Sequence, residues 1–259
     1  MKRRLAPDRR QFLRGSLVGA SALALGGCDQ FTDNQTFYNV LKSAEAVTRH
    51  VQRAIIGQSL AKEYTESDIS TWFKPNGSTD PQDPHYKALA ASNFADWQLA
   101  VDGLVKRPAR LSLADLRAMP SRTQITRHDC VEGWSCIGKW KGVPLGKVLE
   151  RVELDPRAKY IVFYCADTME NSLSGPIKYY ESIGLDDAFH PQTILAYEMN
   201  DKPLPIPHGA PLRLRVERQL GYKMAKYVMR IAAVESFSGI ADGNGGYWED
   251  RNYEWYAGI

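Results

Sequence analysis

Residues 127–135 read Arg-His-Asp-Cys-Val-Glu-Gly-Trp-Ser, and residues 140–145 follow with Trp-Lys-Gly-Val-Pro-Leu. Residues 123–129 are short and mixed apolar–polar, which predicts a strand, and it leads into a loop over residues 130–140. At the end of that strand stands Cys130, beside Glu132 and a glycine, Gly133. A lone cysteine is by default a small buried hydrophobe. His128, Asp129, Cys130 and Cys136 offer zinc-ligand types, yet their spacing fits no common zinc pattern and no second Cys/His cluster completes it.

A second block lies downstream. Residues 203–214 read Pro-Leu-Pro-Ile-Pro-His-Gly-Ala-Pro-Leu-Arg-Leu, and residues 221–228 read Gly-Tyr-Lys-Met-Ala-Lys-Tyr-Val. Together the two blocks resemble the sulfite-oxidase-like molybdopterin-dependent oxidoreductases. The similarity is greatest to the periplasmic branch that includes the methionine-sulfoxide reductase catalytic subunit, and it spans about residues 65–240. The resemblance implies an α+β fold, a single mixed α/β molybdopterin-binding domain without the C-terminal dimerisation domain of the sulfite oxidases proper, and hence a monomer. It implies a molybdenum–molybdopterin cofactor with Cys130 as the thiolate ligand to the metal. A soft thiolate suits a redox-active metal, and Arg127 and His128 are cations in sequence reach that would favour the thiolate form.

The same resemblance places His208, Arg213 and the run Met224, Ala225, Lys226 around the pterin and its phosphate. Arg and Lys suit a phosphate by charge, and Arg also by its fork. Nearer relatives in the family often carry asparagine where this chain has His208. Lys74 and Asn76 fall where the family has an early pterin-contacting loop, although Pro-Asn-Gly is also an ordinary turn. Cys165 stands where relatives place a pterin-contacting threonine. Glu132 is the candidate catalytic partner of Cys130, and Asp129, His128 and Tyr164 are further candidates to move protons or orient substrate.

Composition sets the outer bounds. An apolar fraction of 44% with 24% charged residues excludes a disordered chain. The net charge of +3 is concentrated at the start: residues 1–27 carry +5, leaving −2 for the rest. A nucleic-acid partner would want a basic body, so none is expected. Residues 8–14, Asp-Arg-Arg-Gln-Phe-Leu-Arg, resemble a twin-arginine export signal, followed by an apolar run over residues 17–25 that is too short for a membrane span of about 20 residues. Leu25-Gly26-Gly27-Cys28 resembles a lipobox, with plain signal cleavage as the alternative. These features predict a periplasmic protein, with a lipid anchor at Cys28. Once Cys28 is set aside, Cys130, Cys136 and Cys165 cannot all pair, so at least one thiol is buried, ligated or reactive.

The remaining pattern predicts residues 1–28 as leader, 29–65 as an N-terminal extension and 66–259 as one oxidoreductase domain. Residues 66–96 are rich in turn formers and predict a long irregular segment. Strands are expected over residues 97–105, 159–165, 193–199, 212–216 and 227–234. Helices are expected after Ser112, with Asp115 three residues on, and over residues 144–152. Alone, Arg213 and Arg215 would be a solvated strand face. The function expected is two-electron oxygen-atom-transfer redox chemistry on a small or protein-bound S-oxide or sulfite-like substrate, with reduction preferred. A sulfite-type dehydrogenase and a non-enzymatic binding lipoprotein are the alternatives. The sequence has no CxxCH haem motif, so the electrons are expected from an external partner, a membrane haem or quinol protein or a cytochrome.

Overall fold

The computed structural model describes residues 35–173 and 175–259. The twin-arginine segment and Cys28 lie outside the described residues. Contacts separate the chain into two units, Met1–Ile55 and Ile56–Ile259. The described part of the first lies in helix α1, Gln35–Ile56, whose last residue opens the second. Among the described residues no helix is long and apolar enough to cross a membrane.

The second unit is built on two sheets. Ten strands occur in chain order: β1 Gln98–Gly103, β2 Ala109–Ser112, β3 Arg122–Asp129, β4 Ser135–Pro144, β5 Tyr160–Ser172, β6 Gly175–Gly184, β7 Ile194–Met199, β8 Lys202–Pro203, β9 Arg213–Arg215 and β10 Val228–Val234. The first sheet runs β2-β1-β10-β5-β6, and the second runs β3-β4-β7-β8 with β9 also paired to β7. Among the described residues only the β1–β10 pair is parallel. Helices α2 Pro84–Ala91, α3 Leu113–Ala118, α4 Leu145–Val152 and α5 Leu185–Ala188 connect or cover the strands. The mixture is the α+β class that the sequence predicts.

Local chemistry explains the helices. Ser112 and Asp115 form a capping box at α3, the Ser112 hydroxyl accepting from the Asp115 amide at 3.1 Å. In α4, Leu145, Val148, Leu149 and Val152 are all at most 1% exposed. Their spacing puts them on one face, and each such burial is worth about 1.5–3 kcal/mol. They join Leu99, Val101, Ile161, Phe163 and Ile231 in the main core.

Three local expectations need correction. The segment over residues 66–96 is not irregular throughout, because Asp83 caps α2 by accepting from the Tyr86 amide at 2.8 Å, with Pro84 at its first turn. The loop after Cys130 is short: β4 begins at Ser135 and pairs with β3 from Asp129 opposite Ser135 to Arg122 opposite Gly142. Finally, Arg213 and Arg215 are not solvated but fully buried.

Candidate active site

A cleft of about 700 Å³, including its open mouth, holds the Cys130 side chain. It forms where the turn of the β3–β4 hairpin, from the second sheet, meets β5 from the first. Its walls include Asn76, Glu132, Asp167, Met224 and Lys226. The turn is tight: the Cys130 amide donates to the Trp134 carbonyl at 2.9 Å and the Gly133 amide to the Cys130 carbonyl at 3.0 Å. Gly133 has φ +83°, a conformation that favours glycine.

Strand alternation decides what faces Cys130. Arg127 points outward, and its Nε lies 2.9 Å from Asp129 Oδ1. His128 points inward and is fully buried. Neither supports the Cys130 thiolate, contrary to the expectation from sequence proximity. Burial pushes the Cys130 thiol above its ordinary pKa, opposed by the Glu132 and Val131 amides and by Lys74. A cation placed on this sulfur would favour its ionised form. Among the described residues no group of three His, Cys, Asp or Glu side chains is placed to hold a metal.

The other candidates separate clearly. Glu132 lines the cleft, where Trp134 Nε1 donates to it at 2.8 Å and Lys74 Nζ lies 3.4 Å away. These two contacts, Trp134 first, hold its carboxyl below the usual range. Asp129 faces a different pocket with Tyr64 and Glu217. Tyr164 lies under the Arg230 guanidinium, 4.7 Å from ring centre to cation, and borders a separate cavity. Cys165 is buried in the main core and borders that same cavity, not the cleft of Cys130. Cys130, Cys136 and Cys165 are all free thiols. His128 is held neutral by burial and by the charges of Arg215 and Arg213. Gly221 packs directly on its ring, where a Cβ would sit 2.4 Å from Nε2.

The cation cluster is the site's most informative feature. Arg213 is fully buried, yet only Nη1 is bonded, to the His208 carbonyl at 3.0 Å. Its Nε and Nη2, His208 Nδ1 and Asn76 Oδ1 have no hydrogen-bond partner among the described residues. Burial and the Arg215 charge push Arg213 down to about 9. Burial and then Arg213 push Lys226 down to about 7. Lys226 Nζ donates to the Ser78 and Pro207 carbonyls and, among the described residues, hydrogen-bonds no carboxylate, although the Asp167 charge acts on it. Ala225, between Met224 and Lys226, is fully buried, and its carbonyl accepts from the Leu214 amide at 2.8 Å. Buried polar atoms without partners are costly; an anion with several acceptor oxygens would satisfy the Arg213 nitrogens, and a ligand N–H the Asn76 Oδ1.

Two features escaped the sequence reading. Asp167, on β5, is 4% exposed in the cleft, and its Oδ1 has no partner. Burial raises it to about 6. The cleft also has an aromatic side made of Tyr179, Tyr222, Trp248 and Tyr253. Residues 243–259 are rich in glycine and aromatics, but composition alone does not say where these rings go.

The sequence family described as the oxidoreductase molybdopterin binding domain matches residues 86–239. A protein of Azospira oryzae, provisionally named protein-methionine-sulfoxide reductase subunit YedZ1, is 37% identical over 97% of this chain and 88% of its own length. The protein-methionine-sulfoxide reductase catalytic subunit MsrP of Xanthomonas axonopodis pv. citri is 36% identical over 88% of this chain and 70% of its own length. A solved structure, the sulfane dehydrogenase SoxCD of Paracoccus pantotrophus, aligns with 54% of this chain and 39% of its own at 23% identity and a TM-score of 0.49.

Proposed function

The chain belongs to the molybdopterin-binding oxidoreductase family, and from that premise we propose that it is a molybdenum-dependent reductase of S-oxides with Cys130 as the protein's ligand to the metal. The observation that carries the reading is one half-buried thiol sharing a cleft with Lys226, backed by Arg213, two buried cations that hydrogen-bond no carboxylate among the described residues. Arg213, Lys226, His208 and Asn76 would hold the phosphate and polar edges of the pterin, and the Cys130 sulfur the metal. Met224 and Ala225 supply backbone and apolar contact beside them, and Lys74 closes the Glu132 side of the mouth. When bound, this cofactor supplies the two-electron redox chemistry.

The overall reaction takes up two electrons and two protons, converting a sulfoxide to a sulfide and water. The chain's own part is to place and protonate the substrate. Asp167 is suited to hold one proton at its carboxyl, because burial keeps it neutral up to about pH 6. Glu132, held ionised by Trp134 and Lys74, is suited instead to fix the turn that carries Cys130. Both relatives are named as subunits, which supports an external electron donor, a membrane haem or quinol protein or a cytochrome. The twin-arginine-like residues 8–14 support export of the folded enzyme to the periplasm, and Cys28 supports a lipid anchor there.

Elemental and pterin analysis of the purified protein, followed by reoxidation of the dithionite-reduced enzyme with methionine sulfoxide, tests this. We expect about one molybdenum and one pterin per chain, with reoxidation by the S-oxide. Reduction of the oxidised enzyme by sulfite, with no response to S-oxides, would replace the reading by a dehydrogenase. Cys130→Ser should lose turnover by at least about a thousandfold while keeping its unfolding temperature. A variant with full metal and full activity would overturn the assignment of Cys130.

A further inference from the structure

Residues 243–259 lie beyond the stretch that the family matches, which ends at residue 239. They are nonetheless fastened to the domain at three places. The Tyr247 amide donates to the Tyr180 carbonyl at 3.0 Å, and the Leu220 amide to the Ala257 carbonyl at 2.9 Å. Between these, Lys223 is fully buried and bonded to both Glu181 and Glu249. A buried ammonium shared by two carboxylates is demanding to maintain, and removing one partner leaves a charge stranded. The fastening therefore fixes the backbone at Glu249, one residue after Trp248.

What this fastening presents is an aromatic face. Trp248 and Tyr253 pack with ring centroids 5.2 Å apart, and Tyr253 meets Tyr222 edge-on at 5.3 Å. The Tyr222 hydroxyl in turn donates to the Glu254 carbonyl at 2.6 Å. Tyr253 is 37% exposed and Trp248 is half-buried. Both line the same cleft as Cys130, on a wall that the cofactor contacts proposed above do not use. Large rings held rigidly but left partly open suit contact with a ligand that is apolar at one end and wet at the other. Aromatic rings also attract a sulfur atom and its methyl group.

We infer that Trp248 and Tyr253 form a specificity wall for the substrate's alkyl arm, so that residues 243–259 set which S-oxides the cleft accepts. This rests on the S-oxide reading and refines it. The wall favours a sulfoxide carried on an extended side chain over a minimal one, because only the former reaches past the reacting sulfur to the rings.

The test compares holoenzymes of wild type, Trp248→Ala and Tyr253→Ala on dimethyl sulfoxide and on a short peptide containing methionine sulfoxide. The ratio of kcat/KM for the peptide to that for dimethyl sulfoxide should fall about tenfold in each variant, mainly through the peptide KM. Pterin content should match wild type. A ratio unchanged in both variants overturns the wall. Calorimetric titration with the corresponding methionine peptide, which is not turned over, separates this from failure of the S-oxide reading. If the wild type reduces no S-oxide but binds the peptide about tenfold more tightly than Trp248→Ala, the reading fails and the wall stands. Equal peptide binding by both proteins overturns the wall.

Discussion

Arg213 and Arg215 stand two residues apart on β9, both fully buried and both against the ring of Trp140, at 4.9 and 4.4 Å. Their surroundings differ completely. Arg215 donates from Nε and Nη2 to Glu217, at 2.8 and 2.6 Å, and from Nη1 to His128 Nδ1 at 3.0 Å. Arg213 has one bond and two orphaned nitrogens. Lys223 and Lys226, three residues apart, repeat the contrast: the first holds two carboxylates, the second only carbonyls. A buried cation that the fold has neutralised belongs to the fold. One that the fold has left unneutralised marks where an anionic ligand belongs, and the cofactor assignment rests on that difference.

The largest effect on stability should come from the neutralised half. Glu217→Ala strands Arg215 and removes one of the two acceptors of Gln124 Nε2, which lies 2.9 Å from the Glu217 carboxylate and 3.0 Å from the Gln192 carbonyl. The expected loss is about 3–5 kcal/mol, read as a lower midpoint in urea unfolding of the cofactor-free protein. A loss within experimental error would mean that Arg215 finds another partner, and the contrast with Arg213 would lose its meaning.

A carboxyl in the cleft sharpens the comparison with the opposite sign. Asp167 is raised from 3.8 to about 6 by burial, with Lys226 and Lys178 only partly opposing. Below pH 3.8 the group is protonated in both folded and unfolded chains. As pH rises from there, the unfolded chain releases its proton while the folded chain holds it until about pH 6. Stability therefore declines across that window and levels off above it. Asp167→Asn, which mimics the neutral acid, should remove this decline, and above pH 7 it should exceed wild type by up to about 3 kcal/mol. Holoenzyme turnover of the wild type should fall as pH rises through the titration of Asp167, and the variant should lose that limb. A variant with an unaltered pH profile would move the proton to another group.

How much of this was legible in the sequence follows from the same physics. The two blocks around Cys130 and Arg213 could be read because they combine rare residue types at short spacing. The β4 strand could not, because its inward positions are Gly138, Trp140 and Gly142, and glycine adds nothing to an apolar alternation. Gly142 is required by contact, because a Cβ there would sit 2.2 Å from the Leu195 carbonyl, and one on Gly138 would press on the Phe73 ring at 3.1 Å. Helix α2 was hidden because Asp83-Pro84 reads equally as a turn and as a cap followed by a first-turn proline. Asp167 and the Trp248–Tyr253 pair escaped because their roles come from chain segments far apart in sequence. Cys165 was readable by position alone, and a strand position does not reveal which cavity it borders.

The smallest stability change, and the most discriminating, belongs to Arg213. Arg213→Met keeps volume and apolar contact with Trp140 while removing a charge that burial already disfavours. The bond to the His208 carbonyl and the cation–ring contact are lost, so the gain and the losses nearly cancel. The cofactor-free protein should change by no more than about 1 kcal/mol, and toward greater stability. That is opposite in sign to Glu217→Ala, although the two changes act on neighbouring arginines of one short strand. Pterin retained after dialysis should fall about tenfold or more, since a buried charge-assisted contact to the phosphate is lost. Lys226→Met should show the same pair of signs, because Lys226 is also pushed down by burial and by Arg213. If Arg213→Met instead destabilised the cofactor-free protein by several kcal/mol and left pterin retention intact, Arg213 would be a structural ion like Arg215. The unneutralised cluster would then lose its meaning as an anion site.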